Sequence, residues 1–176
     1  MARALLMFKM FYPDEWYVSS WSIDYEQLYE AGYRSVIFDI DNTLAVHGGP
    51  PPQKTRELFE RLRGLGMKVC VLSNNKEPRV RSFAKQVDCF YIYKANKPST
   101  KGYERAMEQM GTTRENTVFV GDQLFTDVFG ARRTGIHSIL VQPIDPHEEI
   151  QIVLKRYLEK IVLVFYKKQG GKLKKG

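Results

Sequence analysis

Two carboxylates stand two residues apart where an apolar run ends. In Val36-Ile37-Phe38-Asp39-Ile40-Asp41-Asn42-Thr43-Leu44, an extended backbone points Asp39 and Asp41 to the same side. Two like charges a few ångströms apart are costly unless a cation joins them or one takes up a proton. Both outcomes are chemically useful. A carboxylate held by a cation can attack as a nucleophile, and a protonatable neighbour can serve a leaving group as acid and then water as base. Taken alone, the pattern has a structural competitor, because Asp41-Asn42-Thr43 also suits a capped turn.

Three further clusters bear on that choice. Val71-Leu72-Ser73-Asn74-Asn75 leaves a second apolar run with a hydroxyl and amides where a helix begins. Such groups suit phosphate oxygens, although Ser73 could equally cap that helix. Lys97, in Lys94-Ala95-Asn96-Lys97-Pro98, could neutralise a phosphoryl group or an aspartate, with Lys94 and Lys101 close enough to compete for the assignment. The run Val118-Phe119-Val120-Gly121-Asp122-Gln123-Leu124-Phe125-Thr126-Asp127 is a second acidic cluster after an apolar stretch. Gly121 permits close backbone approach, Asp122 can complete an oxygen-rich cation site with Asp39, and Asp127 can support it from behind. Oxygen donors without His or Cys select a hard cation, and Mg²⁺ is the natural choice.

The elements that must position these groups follow from periodicity. Strands are expected at Arg34–Ile40, Met67–Leu72, Phe90–Tyr93, Thr117–Gly121 and Ile136–Val141. Helices are expected at Asp24–Ala31, Gln53–Leu65, Glu77–Gln86, Thr100–Met110, Leu124–Thr134 and Glu148–Lys160. Strand and helix alternate throughout, which describes one α/β domain on a mainly parallel five-stranded sheet. The polar clusters then fall at the carboxyl ends of the first, second and fourth strands, the edge where open parallel sheets bind ligands.

The chain has 176 residues, 43% of them apolar and 27% charged, enough for a sizeable core, and disorder, collagen and coiled coil are excluded. Its longest uninterrupted apolar run, Ile161 to Tyr166, is far short of the ~20 residues needed to cross a bilayer. From Lys155 to the end, eight Lys/Arg face Glu159 alone, which accounts for the whole formal charge of +7 and leaves residues 1–154 balanced. Residues 1–166 are therefore expected to form the domain and 167–176 a basic, flexible tail. Such a tail meets anionic membrane, nucleic acid or only water. Cys70 and Cys89 sit in apolar stretches with no partner at a zinc-like spacing, as core thiols in a reducing, cytoplasmic compartment would. The apolar run in Met1–Phe11 is broken by Lys9 and has no cleavage signal, which argues against a leader peptide and leaves a short packed or interfacial helix.

In order, Asp39-x-Asp41-x-Thr43, Ser73, Lys97 and Gly121-Asp122-x4-Asp127 resemble the four motifs of the haloacid dehalogenase (HAD) superfamily. The strings DIDNTL, LSNNKEPRV, NKPSTKGYERA and GDQLFTDVFGA are similar to the YqeG-like branch of its subfamily IIIA phosphatases, from about Phe11 to Tyr166. The resemblance implies a Rossmannoid three-layer α/β/α sandwich and an aspartyl-phosphate mechanism. Asp39 would be the nucleophile and Asp41 the acid and base. Thr43 would orient the loop, Ser73 and Asn74 would hold phosphoryl oxygens, and Lys97 would offset charge. Mg²⁺ would be held by Asp39, Asp122 and the main-chain carbonyl of Asp41, with Asp127 behind.

Residues 44–72 are used up by a Pro-rich loop, one helix and one strand, and residues 74–96 by one helix and one strand. No cap domain fits there. An open site suits a phosphate borne on something large, such as a lipid headgroup, a protein or a nucleic-acid end. The apolar, cation-flanked segment from Ile150 to Lys168 could lie peripherally on the inner face of an anionic membrane, or simply pack on the sheet. Because the branch is related to phosphatidylglycerophosphate phosphatases, the leading expectation is that lipid as substrate. Phosphoprotein or nucleic-acid ends are the alternative, and a non-enzymatic nucleic-acid-binding scaffold comes last. His47, Arg79, Arg81, Arg132 and Arg133 are read as surface groups, and Trp16 and Trp21 as aromatics packed on the sheet or anchored at an interface.

Overall fold

Alternation of side chains along three central strands divides the interior into two layers. In the computed structural model, which describes residues 8–145 and 150–175, the strands are β1 (Glu15–Tyr17), β2 (Ser35–Phe38), β3 (Lys68–Leu72), β4 (Phe90–Ile92), β5 (Thr117–Gly121), β6 (His137–Val141) and β7 (Leu173–Lys174). The helices are α1 (Tyr25–Glu30), α2 (Gln53–Gly64), α3 (Glu77–Val87), α4 (Thr100–Met110), α5 (Phe129–Thr134) and α6 (Ile150–Lys168). The sheet order is β4-β3-β2-β5-β6-β1-β7, with parallel pairs throughout.

Val36, Phe38, Val69, Val71, Val118 and Val120 face one side and pack on Leu58, Phe59 and Leu62 of α2 and Val80 and Phe83 of α3. Ile37, Cys70, Leu72 and Phe119 face the other and pack on Tyr103, Ala106 and Met110 of α4. A sheet buried on both faces needs such β-branched and aromatic runs, and the result is the expected three-layer α/β sandwich. Burial pushes the Cys70 thiol far above its usual range, which leaves it an inert filler. No additional domain stands after β2 or β3: α2 and α3 fill the two intervals. No helix among the described residues is long and apolar enough to cross a membrane.

The sheet has seven strands rather than five. Both additions are short and lie at one edge, where β1 pairs with β6 on one side and β7 on the other. Trp16, in β1, is buried against Tyr12, Leu124, Val128, Leu140 and Val162. The reading of 167–176 as a flexible tail does not match this arrangement. Lys167 and Lys168 end α6, and Leu173–Lys174 adds β7, with Lys174 Nζ 2.5 Å from Glu15 Oε2. Two-residue pairing gives no periodicity to read. The helix expected at Leu124–Thr134 is a π-helical turn, Leu124–Val128, followed by α5. The helix expected to end at Lys160 runs on to Lys168, and its expected start at Glu148 lies outside the described residues, as does Met1–Met7.

Glu15 holds that edge. Its carboxylate meets His137 Nε2 at 2.9 Å, the Tyr17 hydroxyl at 3.0 Å and Lys174. The His137 hydrogen bond, reinforced by Lys174 and Tyr17, outweighs burial and lowers its pKa from 4.5 to about 2. A lowered carboxylate stabilises the fold above its unfolded value and loses that contribution as pH falls through the folded one. Glu15→Gln should therefore lower the urea midpoint near neutral pH, and the gap to wild type should close as pH falls from about 4.5 towards 2. A gap independent of pH would show that the ionised carboxylate is not what matters.

Candidate active site

Because β3, β2 and β5 are parallel neighbours, their carboxyl ends share one edge. Asp39, Ser73 and Asp122 each stand one residue beyond a strand there. The Asp39 N–H donates to the Val120 carbonyl at 2.9 Å and so extends the ladder, which fixes where the carboxylate starts.

Lys97 reaches the same point from the loop between β4 and α4. Its side chain is 4% exposed, and Nζ lies 2.5 Å from Asp39 Oδ1 and 2.7 Å from Asp127 Oδ1. Lys94 and Lys101 are exposed, so the competition among the three lysines is resolved by burial. Asn74 makes the loop rigid: its side-chain oxygen accepts from Lys97 N–H at 2.7 Å and its amide donates to the Lys97 carbonyl at 3.3 Å. That amide, expected to face phosphate, is engaged in placing Lys97. Ser73 is buried, and its Oγ accepts from Asn75 N–H at 3.1 Å.

The π-helical turn aims Asp127 back at the strand it follows. Both Asp127 N–H and Val128 N–H donate to the Gln123 carbonyl, while Asp127 Oδ2 accepts from Asp122 N–H and Gln123 N–H, each at 3.1 Å. Turns of this kind recur at functional sites. Gly121 makes the approach possible, since a Cβ there would stand 2.5 Å from Asp127 Oδ2.

One oxygen each from Asp39, Asp122 and Asp127, all buried, lie within 4.8 Å of one another. With every group ionised, these three carboxylates face two cations, Lys97 and Arg156, and one negative charge is left over. An all-oxygen, net-negative cluster fits a hard divalent cation. Asp127, expected behind the cation site, is within this cluster. The Asp41 carboxylate is directed elsewhere: it accepts from Gly48 N–H and from Arg79, both at 2.9 Å, and from Asn75 at 3.4 Å. The Thr43 hydroxyl donates to Asp122 Oδ1 at 3.1 Å, tying the first loop to β5.

Burial raises Asp39 well above the usual carboxylate range, with Lys97 opposing and Asp127 and Asp122 adding. Burial, then Asp127, raises Asp122 to about 7 against Arg156 and Thr43. Lys97 moves up because Asp127 and Asp39 outweigh the burial that would lower it. Asp41 moves down: burial would raise it, but Gly48 N–H and Arg79 together prevail. The edge thus sets one carboxylate of lowered pKa, Asp41, beside two of raised pKa, Asp39 and Asp122.

Three contributors escaped the sequence reading. Arg79 was taken as a surface charge but pairs with Asp41. Arg156 of α6 donates to both the side chain and, at 2.6 Å, the main-chain carbonyl of Asp122. Glu159, 5% exposed, accepts from Leu124 N–H at 2.7 Å and pairs with Arg156 at 2.9 Å. The available signal was an Arg and a Glu three apart, the Glu being the single acid of a helix otherwise apolar and basic. Beside Asp122 a cleft of about 560 Å³ opens between α6 and the end of β6, walled by Trp16, Leu140, Pro143 and Leu163.

Residues 46–135 match the family model of the haloacid dehalogenase-like hydrolases. The chain is 37% identical over 163 residues to the Bacillus subtilis protein named "Probable phosphatase YqeG", covering 92% of this chain and 95% of that one. It is 28% identical over 165 residues to "Phosphatidylglycerophosphate phosphatase 1, chloroplastic/mitochondrial" of Arabidopsis thaliana, covering 85% of this chain and 46% of that relative. Among solved structures, the cobalt-bound deoxy-D-mannose-octulosonate 8-phosphate phosphatase of Haemophilus influenzae superposes with a TM-score of 0.50 at 15% identity, over 76% of this chain and 89% of that one.

Removing the Lys97 ammonium leaves Asp39 and Asp127 buried without their shared cation. Lys97→Met should cost about 3–5 kcal/mol of unfolding free energy at neutral pH, measured by urea denaturation. Adding Asp127→Asn should return part of it. Equal stability of wild type and Lys97→Met would show that the cluster binds a proton instead of needing Lys97.

Proposed function

The chain belongs to the haloacid dehalogenase-like hydrolases and is a phosphatase, and from that premise we propose that it is a Mg²⁺-dependent phosphomonoester hydrolase of phosphatidylglycerophosphate, working through Asp39. The observation that carries the reading is Asp39 at an uncapped sheet edge, bound to Lys97 and clustered with Asp122 and Asp127. Phosphoryl transfer asks a protein chiefly for position and charge stabilisation.

Asp39 attacks phosphorus and the bond to the alkoxide breaks, giving an aspartyl-phosphate, while Asp41, having first taken a proton from solvent, passes it to the leaving alkoxide. Asp41 then takes a proton from water, which attacks the same phosphorus and returns Asp39 with release of phosphate. Lys97 opposes the burial that disfavours the Asp39 carboxylate and holds it in place, and Ser73 holds a phosphoryl oxygen. A Mg²⁺ ion held by Asp39, Asp122 and the Asp41 main-chain carbonyl, with Asp127 in the same cluster, would offset charge on the phosphoryl oxygens. Arg79 favours the ionised form of Asp41 that the second step needs and opposes the protonated form that the first step needs.

The lipid is supported by the phosphatidylglycerophosphate phosphatase relative, of which this chain spans less than half. The absence of a cap among the described residues and the apolar cleft beside Asp122 suit a substrate that brings its own apolar body.

Phosphate release from phosphatidylglycerophosphate in mixed micelles should require Mg²⁺, stop on chelation, and fall by at least about 10³-fold in Asp39→Asn. Hydrolysis of an aryl phosphate without release from the lipid would keep the phosphatase and discard the lipid, pointing to phosphoprotein or nucleic-acid ends. Arg79→Met should move the descending limb of the pH profile of kcat/KM to higher pH, because Asp41 must carry a proton for the leaving alkoxide and the variant removes one of the groups that lower Asp41. An unmoved limb would mean that another group sets it.

A further inference from the structure

The long C-terminal helix is two-sided in a way its role at Asp122 does not use. Among the side chains described in α6, Glu159 and Val162 are the buried ones. Leu154, Tyr157, Leu158, Ile161 and Val164 are 68%, 61%, 52%, 50% and 51% exposed. At about 100° per residue these five fall within an arc of roughly 120°, on the side of the helix opposite Arg156 and Leu163. They make up most of the large exposed hydrophobics among the described residues. A contiguous apolar stripe on a charged body marks a contact surface.

Charge says what the contact is. Lys155 stands on one flank of the stripe, Lys160 and Lys167 on the other, and Lys168 at its end, all exposed. Glu159, the single acid of the helix, is turned inward onto Arg156 and Leu124. The outer face is therefore apolar and cationic with no anion on it. A second copy of this chain would bring these lysines against their own kind across a two-fold contact. An anionic bilayer offers what the face lacks: hydrocarbon for the stripe and negative headgroups for lysines that extend their charged ends beside it. The apolar surface continues beyond the helix, where Phe8 stacks on Phe165 with ring centroids 5.4 Å apart and Met10 is 44% exposed.

We propose that the outer face of α6 docks this protein peripherally on an anionic lipid surface, with the helix lying in the plane of the interface. Tyr157 and Val164 belong both to the stripe and to the wall of the cleft that reaches Asp122. The docked face is thus continuous with the active-site edge, and the cleft opens towards the lipid. This inference does not rest on the substrate being a lipid, because binding is read without turnover.

Vesicle co-sedimentation of the full chain tests it, with phosphatidylcholine vesicles that lack or contain phosphatidylglycerol. Binding should be at least about tenfold tighter to the anionic vesicles and should weaken with salt. Lys155→Gln/Lys168→Gln should narrow that preference. Leu158→Glu/Ile161→Glu should lose binding at least about tenfold, while retaining the wild-type melting temperature and turnover of a soluble aryl phosphate. Equal binding to both vesicle types would overturn the proposal, as would a stripe variant that binds like wild type. So would a dimer in sedimentation velocity that Leu158→Glu/Ile161→Glu dissolves, since the stripe would then be a contact between copies.

Discussion

One buried ammonium holds the centre of this protein together. Lys97 lies between Asp39, one residue past β2, and Asp127, in the turn after β5, and its charge offsets the cost of burying the pair. Much of the local architecture serves that placement. Asn74 clamps the Lys97 main chain, the π-helical turn folds Asp127 back, and Gly121 leaves room for it. Even so, the cluster keeps an excess of negative charge. A site that binds a cation and a phosphorylated substrate must be left short of positive charge when empty, and its stability suffers accordingly.

The parallel sheet turns that local problem into a general one. Three neighbouring strands deliver Asp39, Ser73 and Asp122 to one edge, so all the polarity of the site is concentrated where the hydrophobic layers end. Helix α6 closes this edge from the side. Its Arg156 bonds to Asp122, and its Glu159 bonds to the Leu124 N–H that begins the π-helical turn. Val162, Leu163, Phe165 and Tyr166 pack the helix on the apolar cluster around Trp16, and these charge-assisted bonds fix it at Asp122.

The central layers were legible from the sequence because their signals are local. Alternation in Val36–Phe38, Val69–Leu72 and Val118–Val120 announces strands buried on both faces, and the carboxylates that follow announce the edge. What escaped depends on partners distant in the chain. Strands β1 and β7 are short and exist through pairing at the edge of the sheet. Arg156 and Arg79 resemble any helix cation until the fold puts Asp122 and Asp41 beside them. The break between the π-helical turn and α5 is likewise invisible in the periodicity, because Asp127 is drawn back by main-chain donors of the strand end and not by an apolar face.

The order of the sheet also sets an order of assembly. Lys174 meets Glu15 across 159 positions, and β1 has neighbours at β6 and β7 alone, so the first strand made must wait for β6 and completes its pairing only with the last. Strands β2 to β5 need no such delay, and with them Asp39, Lys97, Asp122 and Asp127 are all present before α6 has been synthesised. The order of the chain thus places all three carboxylates and Lys97 ahead of Arg156. A chain cut before α6 would keep that cluster and lose the guanidinium that partners Asp122.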